Sequence, residues 1–325
     1  MERFYTMWSY LVRRLLQAIF ILFIITMLCF ILTRLSSDPM AQYANKQGIT
    51  AADREAIRKN LGLDRPMPVQ YVRWLGLALQ GDLGNSFFSK QPVLLMIKQR
   101  LPLTLILMGT AEIVIIIVSL ALGLVAAIKQ YSFTDNLITS ISFIGFSMPI
   151  FFIALGCIML FAVKFKQWGL PYLPTGADIW NPKDPVELIR HLILPVFCLV
   201  AIQTAGYSRF LRSSILEVLG LDYVRTARAK GLTERVTLYK HALRNAILPF
   251  ITIIGLDIPF LLGGALVTES VFTWPGMGRL FWEYAGRGDY PVVLGVLLLT
   301  SSGVVFFTII VDLLYTVVDP RIRLG

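Results

Sequence analysis

The sequence predicts an all-α integral membrane protein with six transmembrane helices. Of its 325 residues, 56% are hydrophobic and 15% are charged, which departs strongly from the composition of soluble domains. The charged residues separate apolar stretches of about twenty residues, the length that a helix needs to cross roughly 30 Å of hydrocarbon. Because these stretches do not alternate with a period of two, a closed barrel is excluded and helices remain.

The first transmembrane helix is predicted at residues 15–33, directly after Arg13 and Arg14. A cleaved signal peptide is the alternative interpretation. That alternative requires a shorter apolar core and a small-residue cleavage site, whereas this run continues into Arg34 and the polar segment Ser36-Ser37-Asp38-Pro39. We therefore expect a retained membrane anchor with a cytoplasmic N-terminus.

Residues 34–100 are predicted to form a small helical insertion on the extracytoplasmic side. Thr50 with Asp53 three residues later is typical of a helix start, and Gly62 is typical of its end. A second helix is predicted from Pro66 to about Gly81.

Five further transmembrane helices complete a five-helix core over residues 101–325. Their predicted ranges are 101–128, 137–163, 191–208, 246–267 and 292–318. Proline and glycine occur within several of them, which membrane helices tolerate because neighbouring groups satisfy the freed backbone. The chain thus divides into 1–33, 34–100 and 101–325.

Basic residues indicate how the chain is oriented. An even number of helices places both termini on one side, and that side includes Arg13, Arg14 and Lys129. It also includes the loop 209–245, whose residues 209–244 hold eight basic and three acidic side chains. By the positive-inside rule this face is cytoplasmic. The net charge of +10 is therefore a topology signal, and nucleic-acid binding is not expected.

Residue types that support catalysis or metal binding are sparse and scattered. Cys29, Cys157 and Cys198 lie inside apolar spans without metal-ligand spacing. The two histidines, His191 and His241, form no His-Glu-x-x-His motif and have no plausible serine partner. We expect no catalytic residue, no metal site and no cofactor in this chain, which makes an intramembrane enzyme an unfavoured alternative.

The most informative segment is the cytoplasmic stretch Leu221–Gly231. An acidic residue near its start, basic residues near its end and a terminal glycine predict a short helix. Thr233 is expected to cap a second helix, which produces a helix-glycine-helix bend. Basic side chains on this bend could bind an acidic partner, or they could form a solvated loop that only sets topology.

Several motifs in this order resemble the permeases of the dipeptide, oligopeptide and nickel family of ABC importers. The bend matches their coupling loop, and the resemblance covers nearly the whole chain. The matching fragments, in chain order, are Leu61–Pro66, Gly81–Gly84, Arg100–Pro102, Asp222–Leu232, His241–Pro249, Glu269–Leu280, Asp312–Tyr315 and Asp319–Arg321.

Two departures from the wider superfamily pattern are present. Arg225 and Thr226 replace two residues of the Glu-Ala-Ala motif, and the longer gap from Gly231 to Pro249 is similar to the peptide branch. In addition, a glycine interrupts the usual Arg-Asp-Tyr sequence at 287–290, which weakens any role transferred to Arg287.

The resemblance implies a type I ABC importer permease fold and a set of partner proteins. The expected partners are two ABC ATPase subunits that bind ATP and Mg²⁺, a second homologous permease and an extracellular binding protein. This chain has no phosphate-binding Gly-x-x-x-x-Gly-Lys-Ser/Thr motif. The resemblance implies that ATPase coupling involves the following residues: Asp222, Tyr223, Arg225, Ala227, Arg228, Lys230 and Gly231.

Three ionisable residues lie inside predicted spans, where each costs about 2.5–3.5 kcal/mol at a helix centre. Asp257 and Glu112 are the candidates to line the substrate pathway and to attract a peptide amino terminus; a structural pairing role for these acids is the alternative. Asp312 is expected to pair with Arg321 or Arg323. Peptides are the implied cargo; nickel or metal chelates and glutathione are alternatives, as is an ion-coupled secondary transporter.

Overall fold

The computed structural model describes residues 2–36, 40, 50–60, 62–176, 181 and 184–318, and in these ranges the fold is helical with one isolated β-bridge. The α-helices are α1 Glu2–Ser36, α2 Ala51–Asn60, α3 Met67–Leu79, α4 Val93–Ile128, α5 Phe133–Ser147, α6 Ile150–Cys157, α7 Phe165–Gln167, α8 Pro185–Leu219, α9 Asp222–Ala229, α10 Glu234–Val236, α11 Arg244–Asp257, α12 Leu266–Val271, α13 Met277–Gly286 and α14 Tyr290–Val318.

Within the described residues, six helical stretches are long and apolar enough to cross a membrane, which confirms the predicted number. The shortest has 18 residues and would be about 27 Å long at 1.5 Å per residue. The six stretches are Val12–Leu35, Val93–Ile128, Ile150–Gln167, Pro185–Leu219, Glu234–Leu262 and Tyr290–Asp312.

The third predicted span, 137–163, is wrong as a single helix. Helix α5 ends at Ser147, Met148 has an extended backbone (φ −86°, ψ 133°) and α6 begins after Pro149. Proline disfavours helical geometry in the residue before it and cannot donate a backbone hydrogen bond. The span instead starts at Ile150 and continues through a π-helical stretch, Ile158–Lys164, to Gln167.

Three other predicted spans also differ in their bounds. The fourth, predicted at 191–208, is helix α8, Pro185–Leu219, so residues 209–219 of the predicted loop 209–245 are helical. Helix α4 begins at Val93 rather than at 101, because Pro102 is accommodated inside it. The fifth span begins at Glu234 and passes through a π-helical stretch, Thr237–Leu243, into α11. It ends in a 3₁₀ turn, Ile258–Leu262, just after Asp257.

The chain divides into two compact units, Met1–Leu103 with Gly276–Gly325, and Thr104–Pro275. In the first unit α1 packs against α14. A core forms there around Val93, Ile97, Leu280 and Val292, all nearly inaccessible to solvent. The sequence-based division into 1–33, 34–100 and 101–325 stays a prediction.

In the second unit α8 is the central element. It contacts α5, α6, α11 and α12, and Cys198 on α8 lies in a core with Ala154 and Phe272. A side chain at Gly145 would come within 2.6 Å of the Ala201 carbonyl oxygen. Glycine therefore permits the close approach of α5 and α8, as small residues do in membrane helix pairs.

The two helices predicted between Thr50 and Gly81 are confirmed. The Thr50 hydroxyl accepts a hydrogen bond from the Asp53 amide, and the Asp53 carboxylate accepts one from the Thr50 amide. This reciprocal cap starts α2. The Thr50 hydroxyl also donates a hydrogen bond to the Asp53 carboxylate, and together with the bond from the Thr50 amide it holds the pKa of Asp53 below its usual value. Helix α3 follows Pro66 and ends before Gly81, whose φ is +85°.

The chain turns at Pro275 and Gly276, between α12 and α13. Trp274, just before this turn, is only 1% exposed and follows Thr273, which has a left-handed backbone (φ 50°).

Candidate functional site

The predicted cytoplasmic bend is present, and its first helix is strongly amphipathic. Along α9, Val224 and Ala227 are buried, whereas Asp222, Tyr223, Arg225 and Arg228 are exposed. Lys230 and Gly231, which follow the helix, are also exposed. The charged side of α9 therefore faces away from the chain, and the two apolar residues attach the helix to it.

Two groups of hydrogen bonds give the bend a defined shape. Arg228 donates through Nε to Glu234 Oε1 at 2.9 Å and through Nη2 to Glu234 Oε2 at 3.3 Å, which links the two helices across the turn. On the other side, Asn245 Nδ2 donates to Tyr223 Oη at 2.7 Å. Because the planar Arg228 guanidinium and the Glu234 carboxylate make two parallel hydrogen bonds, this pair fixes the relative orientation of the two side chains as well as their distance.

Glycine is required at the centre of the bend. Gly231 has φ +77°, a left-handed conformation that costs a residue with a side chain roughly 1–2 kcal/mol. Its amide donates to the Arg228 carbonyl at 2.9 Å, and the Leu232 amide donates to the Ala227 carbonyl at 3.3 Å. Thr233 then caps the next helix by accepting a hydrogen bond from the Val236 amide.

A second cluster joins the two acids predicted to line the substrate pathway. Tyr207 Oη lies 2.5 Å from Asp257 Oδ2 and 3.2 Å from Glu112 Oε1. These residues come from α8, α11 and α4, respectively. One tyrosine hydroxyl carries one proton, so it can donate fully to only one of the two carboxyl groups at a time.

The acidic cluster borders a cavity of about 330 Å³. Glu112 and Asp257 both line it, and the remaining wall is largely apolar, with Ile115, Leu199 and Phe260 among its members. Glu112 is 8% exposed, whereas Asp257 is half-buried. Two acids facing an apolar cavity can attract a cation or a hydrogen-bond donor.

The sequence analysis missed Tyr207 and Gln203, which complete this cluster. Gln203 Nε2 donates to Asp257 Oδ2 at 3.3 Å and lines the cavity. The two residues are four positions apart and therefore share a face of α8. A pair of polar residues at this spacing within an apolar span is the sequence signal that could have identified them.

An ion pair between Asp135, which is buried, and Arg212, which is half-buried, joins α5 to α8. Arg212 donates through Nε to Asp135 Oδ1 at 2.8 Å and through Nη2 to Asp135 Oδ2 at 2.7 Å. The Tyr131 amide also donates to Asp135 Oδ2. The bonds from Arg212 hold the pKa of Asp135 below its usual range.

Asp312 makes an ion pair with Arg14, whose Nη2 lies 3.1 Å from Asp312 Oδ2. The pair links α1 to α14. The predicted partners, Arg321 and Arg323, lie outside the described residues, so that pairing stays a prediction. Arg287, at the interrupted motif, stacks over the rings of Phe88 and Tyr284.

Comparison with known protein families identifies two matches. The family described as binding-protein-dependent transport system inner membrane component matches residues 119–324. The family that covers the N-terminal part of such a membrane component matches residues 7–108.

Curated relatives align over almost their whole length. The oligopeptide transport system permease protein AppB of Bacillus subtilis (strain 168) is 43% identical over 97% of this chain and 99% of that protein. The glutathione transport system permease protein GsiC of Escherichia coli (strain K12) is 39% identical over 98% of this chain and 99% of that protein. This chain therefore belongs to the family of binding-protein-dependent transport system inner membrane components, as a multi-pass protein of the plasma membrane.

Proposed function

We propose that this chain is the permease subunit of an ABC importer that moves di- or oligopeptides delivered by an extracellular binding protein. The oligopeptide permease of Bacillus subtilis, at 43% identity, supports peptides as the cargo. Glutathione, itself a tripeptide, is the second candidate because of the similarity to GsiC. Nickel or a metal chelate is the third candidate, from the family's range.

The observation that carries the proposal is the shape of the bend at Gly231. A helix held by its apolar side presents Asp222, Arg225 and Lys230 outward, and the Arg228–Glu234 pair connects it to the next span. A force applied to α9 would therefore reach the membrane helix that begins at Glu234. We propose that an ATPase subunit grips this surface and switches the pathway between inward and outward access.

The partners follow from this role. Two ATPase subunits would bind ATP and Mg²⁺ and supply the energy, so this chain would transport without catalysing a reaction and without a cofactor of its own. A second, homologous permease would complete the pathway in a heterodimer related by pseudo-twofold symmetry. The binding protein would dock on the outer face, at the insertion 34–100 and the segment 164–190.

Within the membrane, we propose that Asp257 and Glu112 contact the passing substrate. A peptide amino terminus carries a positive charge, and the two carboxyl groups at the cavity would attract it. The cavity's apolar walls suit side chains of varied size, which matches a carrier of diverse peptides.

In the proposed orientation of the chain in the membrane, both termini are cytoplasmic, consistent with the basic residues of the bend.

Gentle purification of the complex from its native host tests this function. We expect two ATPases and a second permease to co-elute, and we expect a peptide-loaded binding protein to stimulate ATP hydrolysis. Stimulation by glutathione alone would favour the second candidate, and stimulation by nickel alone the third. Uptake driven by an ion gradient without any ATPase would contradict the proposal and favour a secondary transporter.

A further inference from the structure

A pocket of about 380 Å³ lies in the first unit and differs in charge from the acidic cavity described above. Four cationic residues line it, Arg34, Arg65, Arg73 and Lys90, with Asp82 as the one acidic lining residue in the described part of the chain. The Asp82 carboxylate already accepts a hydrogen bond from the Gly84 amide at 2.8 Å. The pocket is therefore suited to an anion.

Two buried donors that face no acceptor support this inference. Arg34 Nε and Trp74 Nε1 are both buried and have no hydrogen-bond partner among the described residues, and both residues line the pocket. The guanidinium of Arg34 stacks between the rings of Phe30 and Tyr290, 5.2 Å from each centroid. Stacking occupies the faces of the guanidinium, and Tyr290 also makes a hydrogen bond to this side chain, but the buried Nε–H group has no partner among the described residues and remains available to a ligand in the plane of the guanidinium.

The depth of the pocket relative to the membrane indicates the source of the anion. Arg34 belongs to the last turn of the span Val12–Leu35, and Tyr290 begins the span Tyr290–Asp312. Because α1 packs against α14, these two residues meet where both helices reach the membrane surface. Phospholipid phosphates occupy this level at both membrane surfaces, so a lipid head group can reach the basic residues of the pocket.

The walls of the pocket accommodate more than a phosphate. Phe30, Leu77, Phe87 and Leu294 line it beside the basic residues, so an apolar chain attached to the anion would also be buried. The loop that closes one side is held in shape by Asp289, which accepts hydrogen bonds from Ser86 Oγ at 2.6 Å and from the Phe88 amide at 3.0 Å. Asp289 is not among the lining residues.

We propose that this pocket binds the phosphate group of an anionic phospholipid, with Arg34 and Trp74 donating hydrogen bonds to it and Arg73 adding charge. A guanidinium binds phosphate oxygens through two parallel N–H bonds. The phosphate of a zwitterionic lipid can accept the same bonds, but such a lipid would bind less strongly because the basic residues of the pocket repel its ammonium group. The proposal does not depend on which substrate the transporter carries.

Native mass spectrometry of the intact, detergent-purified complex tests it, with phosphatidylglycerol and phosphatidylcholine as probes of matched chain length. We expect wild-type complex to bind phosphatidylglycerol at least about tenfold more tightly than phosphatidylcholine. Arg34→Gln should weaken phosphatidylglycerol binding by about tenfold, the loss expected for one charge-assisted hydrogen bond. Arg58→Gln, which changes an exposed arginine of α2 outside the pocket, should bind as wild type does.

Trp74→Phe is the variant that keeps the fold while removing one donor. It preserves an aromatic ring beside Phe30 and Tyr71 and should weaken binding about threefold. Equal binding by wild type, Arg34→Gln and Trp74→Phe would overturn the proposal. Displacement of the lipid by millimolar inorganic phosphate, or binding of inorganic phosphate without lipid, would overturn the lipid assignment.

Discussion

At the residue scale, the acidic cluster combines two carboxyl groups with one hydroxyl proton. Tyr207 contacts Asp257 at 2.5 Å and Glu112 at 3.2 Å, and burial makes each unmet hydrogen bond expensive. A positively charged group entering the cavity would interact with both acids at once. A cationic hydrogen-bond donor that entered the cavity could therefore replace the hydrogen bonds from Tyr207 with its own.

The first prediction concerns Asp257. Asp257→Asn removes the charge but keeps a side chain of similar shape, so we expect peptide uptake to fall by about tenfold while the complex still assembles. That factor corresponds to the loss of about 1.4 kcal/mol. Uptake by reconstituted proteoliposomes measures the effect, and size-exclusion chromatography checks assembly.

Asp257→Glu is the control for this variant, because it restores the charge. Uptake by Asp257→Glu should lie between that of wild type and Asp257→Asn. Unchanged uptake by Asp257→Asn would remove this residue from the substrate pathway.

The second prediction concerns the pH dependence of the Asp135–Arg212 pair. The pKa of Asp135 in the folded protein lies below its ordinary value of 3.8, so the pair stabilises the fold fully at pH values well above 3.8. This contribution declines as the pH falls through 3.8 towards the lower folded pKa. Thermal unfolding in detergent, followed from pH 7 to pH 3, measures it.

Asp135→Asn provides the comparison. Wild type should have the higher Tm at neutral pH, by an amount that corresponds to about 1.5–3 kcal/mol for a hydrogen bond between charged groups. The difference in Tm should shrink as the solution becomes more acidic than the ordinary pKa. A difference that stays constant down to pH 3 would contradict the assigned role of the pair.

The sequence alone marks Glu112 and Asp257 as candidate site residues, because an acid within an apolar span is rare for energetic reasons. It does not reveal that Tyr207 is their common partner. Tyr207 is 95 positions from Glu112 and 50 from Asp257, and helix periodicity carries no information about which faces of distant helices meet. The Arg14–Asp312 contact escaped prediction for the same reason.

At the scale of single elements, the bend between α9 and α10 depends on one backbone conformation. Gly231 adopts φ +77° and has no atom within 4 Å of the position a Cβ would occupy. A substitution there would therefore act through backbone strain and not through a steric clash. This separation makes the position suitable for a test of mechanical coupling.

The third prediction compares two substitutions at Gly231. Gly231→Asn should be tolerated, since asparagine visits the left-handed region, whereas Gly231→Val should distort the bend because a branched side chain is strongly disfavoured there. We expect Gly231→Val to lower the number of peptides transported per ATP hydrolysed several-fold. Parallel measurements of uptake and ATPase activity would show it.

A matched control exists in α8. Gly206 also has no atom within 4 Å of the place where a Cβ would lie, but its φ is outside the left-handed range, so Gly206→Ala should leave the ratio of uptake to hydrolysis unchanged. Equal ratios for Gly231→Val and Gly231→Asn would contradict a coupling role for the bend.

Most elements could be predicted because their ends carry explicit signals. The Thr50–Asp53 cap, the start after Pro66 and the stop at Gly231 are local features, and each lies where the sequence places it. The break at Pro149 was missed because proline occurs both inside membrane helices, as at Pro102 and Pro195, and between them. Tertiary packing decides which outcome a given proline has.

At the scale of the whole molecule, six spans and the distribution of basic residues predict cytoplasmic termini. The count of six is borne out by the described residues, whereas the sidedness rests on the positive-inside rule. The number of spans could be inferred from sequence because hydropathy reports directly on the membrane environment, whereas the sidedness stays a prediction. The assembly of subunits could not be inferred in that way.

The fourth prediction tests sidedness by cysteine labelling. After replacement of Cys29, Cys157 and Cys198 by alanine, Glu55→Cys should react with a membrane-impermeant maleimide added to intact cells or spheroplasts. Lys230→Cys should react only after permeabilisation. The reverse pattern would invert the proposed topology.

The most direct test of the central claim is ATP-driven peptide accumulation in proteoliposomes that contain the complete complex. We compare wild type with a chain in which Arg225 and Lys230, both exposed on the bend, are replaced by glutamate. The account predicts that wild type accumulates peptide with ATP and that the reversed chain, although assembled, loses most of this accumulation. Equal ATP-driven accumulation by the two complexes would contradict it.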